Sequence, residues 1–150
     1  MYDLLAENAD GLWTHTKFGY SVPRRNGKNE VVAMRELYGI VKRGEHILHT
    51  AHRTTTTHSA WERLLNLLAK ANIPIASSYR AFGKEHIELE NGGKVEFRTR
   101  TSKGGLGEGF DLLVIDEAQE YQDDQESALK YVVTDSKNPQ TVFCVVRWQC

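Results

Sequence analysis

The sequence predicts an α/β fold, a three-layer sandwich around a mainly parallel central sheet, and three observations carry that expectation. Segments of strand character alternate along the chain with segments of helical periodicity. Leu112–Ile115 and Thr141–Val146 are almost wholly apolar, the pattern of strands buried on both faces of a parallel sheet. The first strand candidate also runs through a short loop holding a glycine and a lysine directly into a helix.

Taken in order, Trp13 to Val22 is rich in aromatic and β-branched residues and reads as a strand. Pro23 to Gly27 break it as a loop. From Lys28 the spacing of Val31, Val32, Met34, Arg35, Leu37, Tyr38 and Val41 suits an amphipathic helix ending near Gly44. His46 to Ala51 reads as a short buried strand. A helix follows from about Ser59 to Ala71, with Trp61, Leu64, Leu65 and Leu68 on one face and Pro74 beyond its end. Ile87–Glu90 and Lys94–Arg98 alternate on either side of Asn91-Gly92-Gly93, which predicts a hairpin. A glycine-rich stretch with Gly104, Gly105, Gly107 and Gly109 then leads into the strand Leu112–Ile115. Residues 122–133 read as helical, and Thr141–Val146 as the last strand.

At 150 residues the chain has room for one domain with one core. With 40% hydrophobic and 26% charged residues it has the profile of an ordinary globular domain. No apolar run approaches the length of a membrane span, and the N-terminus is acidic and polar, which excludes a transmembrane helix and a secretory signal. Cys144 and Cys150 have no partner motif, which suggests a reducing compartment. His15, His46, His58 and His86 lack metal-ligand spacing. The net charge of −1 hides an asymmetry: residues 1–10 carry −3, residues 11–103 carry +8 and residues 104–150 carry −6. A basic middle is compatible with a surface that meets phosphates, and is also common in proteins that do not.

Two motifs carry chemistry. Val22-Pro23-Arg24-Arg25-Asn26-Gly27-Lys28-Asn29 has the spacing of a phosphate-binding loop, with Val22 in the first glycine position and Asn29 in the hydroxyl position. Such a loop aims backbone N–H groups at an anion from a helix N-terminus, where the helix dipole also favours negative charge. Gly27 lets the backbone approach, Lys28 reaches the terminal phosphates, and Pro23, Arg24, Arg25, Asn26 and Asn29 complete the nucleotide-binding set. The second motif is Leu112-Leu113-Val114-Ile115-Asp116-Glu117-Ala118-Gln119. A buried strand there ends in two carboxylates, Asp116 for magnesium and Glu117 to polarise the attacking water. The pair of motifs, a strand–loop–helix with Gly-Lys and a buried strand ending in Asp-Glu, points to a nucleotide-binding domain.

VPRRNGKNE with WTHTKFGYS before it and VVAMRELYGIV after it resembles the phosphate loop of tailed-bacteriophage terminase large subunits. HILHTAHRTTTTHSAWERL and GLGEGFDLLVIDEAQEY resemble the segments that follow it in that family, so the likeness spans about residues 12–143. The resemblance implies a P-loop ATPase of the additional-strand, catalytic-glutamate class that uses ATP and Mg2+ to drive double-stranded DNA into a procapsid, in the cytoplasm of a bacterial host during virion assembly. It implies a portal protein and a terminase small subunit as partners, a homo-oligomeric ring, and no membrane. It assigns Glu117, Lys28 and Arg24 to catalysis, and Asp116 with Asn29 to the metal.

Residues 1–150 then read as one truncated P-loop ATPase domain with the family's C-terminal nuclease domain absent. A Gly-Thr-Pro-like coupling motif, expected after Cys144, is replaced by Val145-Val146-Arg147-Trp148-Gln149-Cys150, and the family's adenine-contacting segment upstream of the loop is absent. A superfamily-2 helicase fragment is the first alternative, because Asp-Glu-Ala-Gln resembles the helicase acidic box. A non-catalytic terminase remnant is the second. Arg24 or Arg25 either touches the γ-phosphate or is a solvated charge beside Pro23. Arg98 or Arg100 is either an arginine finger or part of a plain basic strand face. His49 and His52, at the end of the second strand, read as satisfied loop histidines rather than sensors. Trp13 reads as a core aromatic rather than an adenine platform, and Trp61 as core.

Overall fold

The computed structural model of the chain describes residues 4–23, 28–81, 84–100, 109–122, 125, 129 and 131–147. Seven strands form one sheet: β1 Lys17–Pro23, β2 His46–Ala51, β3 Ile75–Tyr79, β4 His86–Leu89, β5 Lys94–Thr99, β6 Leu112–Ile115 and β7 Gln140–Arg147. Their order across the sheet is β1-β7-β6-β2-β5-β4-β3. The four pairings from β1 to β5 are parallel, and the two that add β4 and β3 are antiparallel. β7, the last strand in sequence, therefore lies between the strand that leads into the phosphate-loop motif and the strand that ends in Asp-Glu. That is the additional-strand arrangement the family resemblance implies.

Two helices, α1 Lys28–Lys42 and α2 Thr54–Lys70, pack on one face. Val32 and Ile40 of α1 and Trp61, Leu64 and Leu68 of α2 bury against Ile47, Ile87, Val95, Phe97, Leu112, Val114 and Val142. Full burial of a leucine such as Leu64 or Leu68 is worth about 1.5–3 kcal/mol. The alternate strand positions Leu48, Leu113 and Ile115 point to the other face, where Phe110, Leu129 and Val132 cover them. The result is three layers, as the alternation of elements predicts.

Local chemistry ends each helix. After α1, Arg43 and Glu45 both donate their N–H to the Gly39 carbonyl, and Gly44 takes the left-handed conformation (φ 60°) that this closure needs. The hairpin turn assists: Asn91 Nδ2 donates to the Ile40 carbonyl at 2.9 Å, and a Cβ on Gly93 would collide with the Ile40 backbone. At the end of α2, Ile73 N donates to Leu68 O and Asn72 adopts φ 56°, a Schellman closure before Pro74.

The differences from expectation are local. β1 starts at Lys17, and Trp13 instead forms an isolated bridge with Glu7. α2 starts five residues before Ser59, because Thr54–Thr57 form its first turn and Thr57 is buried with its hydroxyl donated to the Thr54 carbonyl. Weak helix propensity is overridden there by burial. β3 is an additional edge strand that the sequence reading lacks; it pairs only with β4. Of residues 122–133, Gln125 and Leu129 are helical and 131–133 lie in a turn, while 123, 124, 126–128 and 130 fall outside the described residues.

Candidate functional site

The carboxyl ends of β1, β6, β2 and β5 point the same way, which is the edge where open α/β sheets bind ligands. Pro23 is the last residue of β1, and Lys28 and Asn29 are the first two of α1. Arg24, Arg25, Asn26 and Gly27 lie outside the described residues. Asn29 is exposed and shares an open cleft of about 850 Å³ with Glu117, Arg53, Ser59 and Arg63. A narrow recess joins Asn29 to Asp116, Glu36 and His49. The structure thus brings Asn29, Asp116 and Glu117 together, although 87 residues separate Asn29 from Asp116 in sequence.

Asp116 follows directly on β6, whose four residues are all buried. Its backbone N–H donates to the Thr50 carbonyl at 2.8 Å, which carries the strand pairing one residue further. Glu117 N–H donates to Asp116 Oδ1 at 2.8 Å. Glu117 itself sits in the left-handed region (φ 53°, ψ 48°), a conformation that costs a non-glycine residue about 1–3 kcal/mol and clusters at functional sites. Arg100, buried just beyond β5, opposes that strain. Its guanidinium donates to the Asp116 carbonyl at 2.8 Å, the Glu117 carbonyl at 3.0 Å and Thr50 Oγ1 at 3.3 Å. Glu117 Oε2 lies 3.9 Å from Arg53 Nε, and its Oε1 is buried with no hydrogen-bond partner among the described residues.

Behind the acidic pair, His49 is fully buried on β2 between two carboxylates. Nδ1 faces Glu36 Oε2 at 3.2 Å and Nε2 faces Asp116 Oδ2 at 3.4 Å. Burial alone would push this imidazole down, but the charges and hydrogen bonds of Glu36 and Asp116 overcome it and raise the group from 6.5 to about 9. Tyr20 on β1 faces the same cluster. Burial, and then Cys144, Asp116 and Glu36, hold its hydroxyl well above the usual phenol range.

His49 is satisfied, as the sequence suggests, but on a buried strand and by Glu36 and the acidic motif rather than in a loop. Arg100 uses its guanidinium inside its own chain, so it is neither a free finger nor part of a plain basic strand face, and Arg98 donates to the Glu85 and Phe97 carbonyls. Trp13 is a core aromatic, with the Arg35 and Arg43 guanidiniums 4.5 and 4.2 Å from its ring centre. Trp61 is core as well. Glu36, which sequence reasoning missed, had a readable signal. It shares the apolar face of α1 with Val32, Ala33 and Ile40, where a carboxylate needs a buried partner.

No family model matches the sequence, and no curated protein sequence matches it. Solved structures do match in fold. A large terminase of a thermophilic bacteriophage superposes with a TM-score of 0.73 at 11% identity, over 96% of this chain and 37% of that one. The HK97 bacteriophage large terminase gives 0.68 at 19% identity, over 87% and 29%. A point-mutant ATPase domain of the Thermus phage P74-26 large terminase gives 0.66 at 14% identity, over 88% and 60%. The first of these proteins has also been solved in complex with ADP and with ATP-gamma-S. The chain thus spans less than two thirds of each of these relatives. Across the described strands and helices, it has the fold of the ATPase domains of phage large terminases.

Proposed function

We propose that this chain binds and hydrolyses ATP as the motor domain of a phage large terminase, with double-stranded DNA as the translocated substrate. The observation that carries the reading is the meeting of α1's first turn with Asp116 and Glu117 at one sheet edge, across the inserted strand β7. The fold likeness to terminase ATPase domains, one of them solved with ADP and ATP-gamma-S, supports it.

In this reading Pro23, Arg24, Arg25, Asn26, Gly27, Lys28 and Asn29 hold the phosphates, Lys28 and Arg24 nearest the γ-phosphate. Asp116, through water, and the Asn29 amide oxygen are the metal's protein contacts. Among the described residues no three His, Cys, Asp or Glu side chains form a cage. Mg2+ needs none, since it keeps several waters and takes one or two carboxylates plus phosphate oxygens. A buried carboxylate beside an unpartnered Glu117 Oε1 fits that donor set. Bound there, the ion would supply charge neutralisation on the phosphate oxygens. Glu117 accepts the proton of the attacking water as its oxygen bonds the γ-phosphorus and the bond to the bridging oxygen of ADP breaks. A portal protein, a terminase small subunit and a homo-oligomeric ring belong to the same proposal.

Calorimetric titration of Mg2+·ATP into the 150-residue chain, with Lys28→Ala as control, tests it. Saturable binding that the substitution abolishes is the expected result. No binding by a chain with a cooperative unfolding transition would overturn the ATPase reading and leave a non-catalytic remnant.

A further inference from the structure

We propose that His49 is a positioning residue for the metal-binding carboxylate: it fixes the orientation of Asp116 and ties it, through Glu36, to the helix that begins at the phosphate loop. This rests on the nucleotide reading above and adds to it a residue outside both motifs.

Each ring nitrogen of His49 faces a carboxylate oxygen, at 3.2 Å and 3.4 Å, and a carboxylate only accepts, so both nitrogens serve as donors. Histidine, Glu36 and Asp116 are all almost completely buried, so neither contact is an incidental surface approach. The two oxygens of Asp116 are then assigned separately: Oδ2 to His49 and Oδ1 to the Glu117 N–H. This fixes the carboxylate plane. Glu36 lies two turns along α1 from Lys28, so the chain Glu36–His49–Asp116 spans from the loop's helix to the end of the acidic strand. Phe97 packs against the His49 ring, tilted by 36° with ring centres 5.2 Å apart. An outer group that orients a metal ligand typically governs affinity by 10- to 100-fold, on the order of the effect expected here.

The test compares two amide substitutions of similar polarity in the 150-residue chain. His49→Gln keeps an N–H donor near the Nε2 position, toward Asp116. His49→Asn keeps one near Nδ1, toward Glu36, and is too short to reach Asp116. Mn2+ affinity in the presence of ADP is read by electron paramagnetic resonance, and metal-free ADP binding by calorimetry. The expected result is a loss of about 10- to 100-fold in Mn2+ affinity for His49→Asn, with His49→Gln close to the unaltered chain and metal-free ADP binding unchanged in both. Equal Mn2+ affinity in all three chains overturns the role of His49 and leaves the nucleotide reading standing. Absence of ADP binding by the unaltered chain overturns both. Should either variant not fold, the unaltered chain with 15N-labelled histidine still decides: adding Mg2+ and ADP should shift the His49 Nε2 resonance but not those of His15 and His86. An unmoved His49 overturns the proposal.

Discussion

Arg35 and Glu36 are neighbours on α1, both about 1% exposed, and they enter two different polar networks. Arg35 faces Glu45 and Gln140. Its Nε donates to Gln140 Oε1 at 2.8 Å, its Nη1 to Glu45 Oε1 at 2.8 Å and its Nη2 to Glu45 Oε2 at 3.3 Å, and Gln140 Nε2 donates in turn to the Leu4 and His15 carbonyls. Glu36 faces His49, Asp116 and, beyond them, Glu117. Around Arg35 the charges match one to one and every guanidinium group is engaged. Around Glu36 two carboxylates share the one imidazole between them, Glu117 is strained, and Glu117 Oε1 and Arg100 Nε lack partners among the described residues. A satisfied buried network is scaffold, whereas one that opens onto a cleft with a strained residue and unmade hydrogen bonds is arranged for a ligand.

The comparison can be broken most sharply at Arg35. Arg35→Leu strands Glu45 as an unpaired buried carboxylate and should cost about 3–5 kcal/mol, read as a lower urea midpoint. A loss under about 1 kcal/mol would mean that the Arg35 network is not the scaffold described.

A smaller effect belongs to the other network. His49 is raised in the fold from 6.5 to about 9, so its contribution is complete below about pH 6.5 and is lost as pH rises through about 9. Thermal unfolding from pH 6 to 10 should show this decline in the unaltered chain. The decline should vanish in His49→Gln, and its persistence there would assign it to another group.

The smallest effect sharpens the contrast by exposure alone. Arg63 pairs with Glu30 across the mouth of the cleft, and both side chains are largely in solvent. Arg63→Ala should change stability by less than about 1 kcal/mol, and urea titration beside Arg35→Leu measures the difference directly.

How far the sequence reached follows the same division. The apolar runs of β2, β6 and β7 and the alternation of β4 and β5 were legible because burial writes itself into residue type. β3 was not, because Ala76, Ser77, Ser78 and Tyr79 are exposed at a sheet edge and carry no alternation. The insertion of β7 between β1 and β6 is a property of pairing, which no period records; only the family resemblance pointed to it. Asp116 and Glu117 were legible as an acidic end to an apolar run. His49 and Arg100 were not, and Glu36 showed only as a carboxylate on an apolar helix face, since a charged residue in a core position is explained only by its partners. Those partners come from β2, α1, the end of β5 and the end of β6, which sequence distance keeps apart.

As the proposed base, Glu117 is a working group on a scaffold that does not depend on it. Phosphate release from Mg2+·ATP by Glu117→Gln should be measured beside the unaltered chain. Retained ATP binding, an unfolding midpoint unchanged to within about 1 kcal/mol, and turnover reduced by at least about 100-fold are expected. Turnover equal to that of the unaltered chain would contradict that role.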